Sequence, residues 1–215
     1  MQIRFHGAGR AAPPEVTLLY SDVSGFTAMT ERLGDALAFD VMRRHIELLR
    51  SLAARHGGRE VEVRGDACLL AFESPDACLA CALDVQRALA EQRSSTSGQG
   101  ISVRVGLHTG RPIAHPGGLF GRDVILAARL ADVCPANAIL ASRSFSRRLR
   151  DARRVGRERS VRLKGMREPE PVVRVYWGAR HDRPIAARGS LERLPAYCVR
   201  RLGELASQVS RAAAR

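Results

Sequence analysis

The chain has 215 residues, 45% of them hydrophobic, enough for one sizeable domain and extensions without disulfide staples. Its formal net charge of +13 raises nucleic-acid binding, but the arginines are spread along the chain, aromatics make up only 5% and no helix-turn-helix or zinc motif occurs, so no nucleic-acid partner is expected. No apolar run reaches the roughly 20 residues of a membrane span, and the start MQIRFHGAGRAAPPE lacks the apolar centre of a signal peptide, so a cytoplasmic protein with no integral membrane association is the expectation.

Residues 1–14 read as a leader rich in Gly, Ala and Pro, residues 15–177 as the main domain and residues 178–215 as a basic extension. Val16 to Ser21 predicts a first strand. From Thr27 to about His56 the apolar positions recur at helical spacing, broken by Gly34 into a short helix and a long one and closed by Gly57-Gly58 as a left-handed cap. A hairpin follows, Arg59 to Arg64 and Ala67 to Phe72, turning at Gly65-Asp66. Ser74 to Glu91 is a further amphipathic helix, in which Cys78 and Cys81 read as small core residues because no second cysteine pair completes a metal site. RSSTSGQG, Arg93 to Gly100, is a polar loop. Ile101 to Thr109 alternates as a strand, Val124 to Val133 is helical and Ala138 to Ala141 is a short strand. Arg162-Leu163 with Val172 to Trp177 forms a closing pair. The order predicts an α+β fold, a ferredoxin-like palm with a mixed, mainly antiparallel sheet and helices on one face. In the extension, apolar residues from Leu191 to Val209 recur three or four apart, an amphipathic helix that packs on its own domain or a partner, or lies on a membrane surface.

Two stretches carry the chemistry. VTLLYSDVSGFT and EVEVRGDACLLAF are apolar strand-like runs that end on, or turn through, Asp22 and Asp66. Paired in one sheet, they would project both carboxylates at the same end, where hard divalent cations can be shared with a phosphate-bearing substrate. The small residues after Asp22 open a helix at Phe26 and Thr27, whose free N–H groups suit an anion.

The blocks DVSGFT, HGGREVEVRGD, VRVGLHTG, GRDVILAARLA and LKGMREPEPVVRVYW resemble, in order, the catalytic domain of class III adenylate/guanylate (nucleotidyl) cyclases, from about Val16 to Trp177. The resemblance implies the palm fold and a homodimer with shared active sites. It also implies conversion of GTP or ATP to the 3′,5′-cyclic monophosphate and pyrophosphate with two Mg²⁺ or Mn²⁺ ions per site. On it, Asp22, Asp66 and the carbonyl of Val23 are the metal ligands. Arg129 stabilises the transition state, and Lys164, the only lysine in the chain, binds the triphosphate. Arg111 matches a phosphate-contacting arginine of some members.

Two positions govern the base. Glu62 stands where the family reads it, and a carboxylate there accepts from N1–H and the 2-amino group of guanine; as plain structure, it is the polar phase of a strand between Val61 and Val63. The second specificity position falls at Gly118. A departure lies at Ile125, where the family places a ribose-positioning asparagine. That leaves two expectations, a cyclase or a degenerate cyclase-like domain that dimerises or binds nucleotide without efficient turnover. Diguanylate cyclases share a similar palm, but no GGDEF-like string occurs.

Overall fold

A computed structural model describes residues 14–95 and 100–178. The helix expected in the extension and the centre of the RSSTSGQG loop lie outside the described residues. Strand β1, Val16–Val23, leads into helix α1, Phe26–Leu33, and helix α2, Asp35–Arg55, then the hairpin β2, Arg59–Arg64, and β3, Ala67–Phe72. Helix α3, Pro75–Ser95, and strand β4, Val103–Gly110, follow. A small hairpin, β5, Ile113–His115, and β6, Gly118–Phe120, precedes helix α4, Arg122–Val133. Strand β7, Ala138–Ser142, one helical turn α5, Arg143–Ser146, and strands β8, Arg159–Val161, and β9, Glu170–Val175, complete the domain.

Seven strands form one sheet in the order β2-β3-β1-β4-β7-β9-β8. Only the β4–β7 pair is parallel, so the sheet is mixed and mainly antiparallel. β1 sits near the middle because it is apolar on both phases: Leu18 and Leu19 point to opposite faces and are both fully buried, each side chain contributing about 1.5–3 kcal/mol of burial. On the Leu19 face lie α2 and α3, through Leu49, Leu79, Leu83 and Leu89. On the Leu18 face lie α4 and the β5–β6 hairpin, through Ala127 and Leu119. The single helical face expected from sequence is therefore corrected. β4 exposes Gly106 on the Leu18 side, and its missing side chain leaves room for α4, since a Cβ there would fall 2.2 Å from the Ala127 carbonyl oxygen.

The base of α4 is anchored to the sheet through His108, which is 4% exposed. Asp123 is held below the usual carboxylate range by its hydrogen bond to His108, so it is an acceptor. Nε2 of His108 donates to it over 3.0 Å, and Nδ1 faces the hydroxyls of Ser142, at 2.8 Å, and Ser144, at 3.1 Å. The other Asp123 oxygen accepts from the Arg111 backbone N–H at 2.7 Å.

The closing pair also differs from expectation. β9 pairs with Arg159–Val161, while Leu163 turns inward to join Leu126, Leu130 and Val172; a buried leucine near a strand end was read as the strand itself.

On α2, His45 is 3% exposed, and neither ring nitrogen has a hydrogen-bond partner. Burial pushes its pKa from 6.5 down to about 4. Between these values the unfolded chain binds a proton that the native state refuses, so stability falls on acidification from pH 6.5 towards 4, by up to about 3 kcal/mol for this one group. His45→Leu removes the titration. Its thermal midpoint, followed from pH 7 to 4.5, is expected to drop less steeply than that of the unmutated protein; parallel slopes would assign the acid sensitivity elsewhere.

Candidate active site

The hairpin between β2 and β3 turns at Gly65, whose φ of 58° is in the left-handed region that glycine enters without a Cβ penalty, and this sets Asp66 at the start of β3. In register, Asp22 lies opposite Ala67, the residue after Asp66, so the two aspartates come to one end of neighbouring strands. Burial dominates the titration of both. Burial raises Asp22 to about 6, against the pull of Arg104 and with the added push of the Asp66 and Asp132 charges. Burial also raises Asp66, its own backbone N–H and Arg104 opposing. Val23, the last residue of β1, is buried.

Sequence reasoning missed Arg104. It stands directly across from Asp22 on β4 and forms an ion pair with that carboxylate, with side chains 29% and 16% exposed. An arginine on an alternating strand reads as solvent-facing; its partner is 82 positions away in sequence. The usable signal was that Arg104, Gly106 and His108 share one phase of an otherwise apolar strand, so that phase faces something other than a plain core.

Arg129 lies on α4 with its side chain 13% exposed, Nη1 bonded to Asp132 at 2.8 Å and Nε buried without a partner. Asp132 stands between the two cationic groups, its backbone oxygen 3.5 Å from Arg104 Nη1. No hydrogen bond or ion pair joins Arg129 to Asp22 or Asp66 among the described residues. Ile125, one turn before Arg129, is half-buried and has only its backbone to offer as a polar group.

Phe26 is the first residue of α1 and packs against the core. Thr27 beside it is exposed. The helix starts from Gly25, with no side chain capping its first N–H groups. Glu62 is on β2, ion-paired with Arg64, and Gly118 begins β6 close to Val61 of the same strand, where a Cβ would sit 3.4 Å from Val61 Cγ1. Arg111 is exposed at the far end of β4.

Lys164 is not brought to the aspartates. It is exposed in the β8–β9 connection, on the outer edge of the sheet, and the registers put that connection at the end opposite Asp22. Strands β4, β7 and β9 intervene; at about 4.8 Å per strand the lateral offset alone is on the order of 20 Å.

Among the described residues no cluster of three or more His, Cys, Asp or Glu side chains gathers at one point. The donor set here is two hard carboxylates of raised pKa, with a guanidinium already drawn to one of them. That set fits a divalent cation that takes its other ligands from the backbone and from phosphate oxygens.

Fold and acidic site together define an α+β palm domain with two aspartates at one end of its mainly antiparallel sheet. The family model of the adenylate and guanylate cyclase catalytic domain matches residues 11–177, and the chain belongs to that family. The chain is 30% identical over 59% of its length to the serine/threonine-protein kinase pkn2 of Myxococcus xanthus, covering 15% of that protein. It is 28% identical over 60% of its length to an adenylate cyclase of Streptomyces coelicolor, covering 33% of it. A solved adenylate/guanylate cyclase/hydrolase from Silicibacter pomeroyi superposes with a TM-score of 0.65 at 26% identity, over 77% of this chain and 98% of that one. No helix among the described residues is long and apolar enough to cross a membrane.

Proposed function

We propose that the domain is a purine nucleotide cyclase. It converts GTP or ATP to the 3′,5′-cyclic monophosphate and pyrophosphate, in a cytoplasmic homodimer with shared active sites. The observation that carries the reading is the placement of Asp22 at the end of β1 and of Asp66 in the turn that enters the neighbouring β3, with Arg104 paired to Asp22, inside a chain of the cyclase family.

Asp22 and Asp66, with the Val23 carbonyl, would hold two Mg²⁺ or Mn²⁺ ions. When bound, these ions supply acidification of the ribose 3′-hydroxyl and neutralisation of the triphosphate. The chain's own residues do the rest. The uncapped N–H groups at Phe26 and Thr27 suit phosphate oxygens. Arg104, freed from Asp22 by competing cations, is a ready partner for phosphate. In this reading Arg129 would serve the equatorial oxygens of the transition state, Lys164 the triphosphate and Arg111 an outer phosphate contact. Glu62 at the base favours guanine over adenine, with Gly118 beside it. Lys164 cannot reach the carboxylates of its own chain, which supports a second subunit as the source of the cationic half of each site.

Ile125 favours a second reading, a domain that binds nucleotide with little turnover, because an isoleucine cannot position a ribose hydroxyl by hydrogen bonding. One experiment separates the two. The protein is incubated with GTP and with ATP in Mn²⁺, alongside Ile125→Asn, and products are resolved by chromatography. The cyclase reading expects cyclic nucleotide from both proteins, with a rate on the order of tenfold or more higher in the variant. Nucleotide binding by calorimetry with no cyclic product from either protein would select the second reading, and no binding at all would end both.

A further inference from the structure

We infer that Arg64 is a base-specificity residue, supplying guanine with the donor that Gly118 cannot give. The inference rests on the cyclase reading above.

Glu62 and Arg64 are two apart on β2, so they share a face, and Arg64 Nε is ion-paired with Glu62 Oε1. The strand shifts register between Glu60 and Glu62, a bulge that re-aims the residues after it. Beyond it, Arg64 lies opposite Ala67, and Ala67 opposite Asp22. The Glu62–Arg64 pair therefore belongs to the same face of the sheet as the acidic site. β2 is the edge strand, and the two side chains are 30% and 39% exposed, open to a ligand.

The Watson–Crick edge of guanine presents two donors, N1–H and the 2-amino group, and one acceptor, O6. A carboxylate answers only the donors. Gly118 has no side chain with which to answer O6, and an acceptor taken out of water without a donor is costly. Arg64 has N–H groups left over after its Nε is committed to Glu62, and a guanidinium is well suited to guanine O6 and N7. Adenine reverses both edges: its N1 lone pair meets the carboxylate, and its 6-amino group meets the cation. The plain alternative is a surface ion pair that blunts an edge strand, and it predicts no dependence on the base.

The test is the equilibrium affinity of the full chain for GTP, 6-thio-GTP and ATP, before and after Arg64→Ala. 6-Thio-GTP keeps N1–H and the 2-amino group and weakens only the acceptor at position 6. The unmutated protein is expected to favour GTP over 6-thio-GTP roughly tenfold, and Arg64→Ala to lose about 10- to 100-fold for GTP while bringing the two nucleotides level. ATP affinity does not fall, and the thermal midpoint stays within error. If the substitution weakens all three nucleotides alike, or leaves GTP unchanged, Arg64 has no role in reading the base while the cyclase assignment stands. If the unmutated protein binds none of them, the cyclase assignment itself fails and takes this inference with it.

Discussion

Asp22→Ala and Arg129→Ala, each purified alone, are expected to lose cyclic-nucleotide production by 10²-fold or more, and an equimolar mixture of the two is expected to recover about one quarter of the unmutated rate. The first loss follows from removing half of an acidic pair whose carboxyls burial holds above the usual carboxylate range. The second follows from removing the guanidinium held 2.8 Å from Asp132 with its Nε still unpartnered. The recovery is a matter of symmetry. In the proposed two-fold dimer each site would take its aspartates from one chain and its arginine from the other, so random exchange would make mixed dimers of about half the population, each with one complete site of two. Activity is read by product chromatography after subunit exchange. A mixture as inactive as its parents would mean that aspartates and arginine serve within one chain, and the shared-site arrangement would be abandoned.

Gly106→Val is expected to be the most damaging single change to the fold. A Cβ at that position would come within 2.2 Å of the Ala127 oxygen and 2.7 Å of the Ala131 nitrogen, both backbone atoms of α4 that cannot rotate away. The helix must lift off β4, opening the apolar clusters around Ala127 and Leu130. A cost of about 3 kcal/mol or more is expected, read as a drop of roughly 6–12 °C in the thermal midpoint. Gly106→Ala brings the same Cβ and should show a smaller drop of the same sign. An unchanged midpoint in the alanine variant would show that α4 does not pack as described.

Long periodic stretches were legible because their patterns leave one interpretation. The broken helix around Gly34, the hairpin turn at Gly65-Asp66 and the doubly apolar β1 all emerged within a residue or two of their expected bounds. The elements that escaped are short. Ile113–His115, Gly118–Phe120 and Arg143–Ser146 are too brief to show a period, and β8 is held by its pairing with β9 more than by its own residues. The side of the sheet on which α4 packs depends on Gly106, whose absent side chain reads in sequence only as a weak strand residue. At the site, the two aspartates could be found from strand ends and turn chemistry. Arg104 could not, because its meaning lies in a register between strands far apart in the chain.

The ion pair between Arg104 and Asp22 has a consequence for how the protein fares when divalent ions are scarce. If the proposed site holds divalent cations and a chelator strips them, the Arg104 guanidinium would still stand against Asp22, so the fold is expected to outlast the loss of the ions while any cation-dependent chemistry would stop.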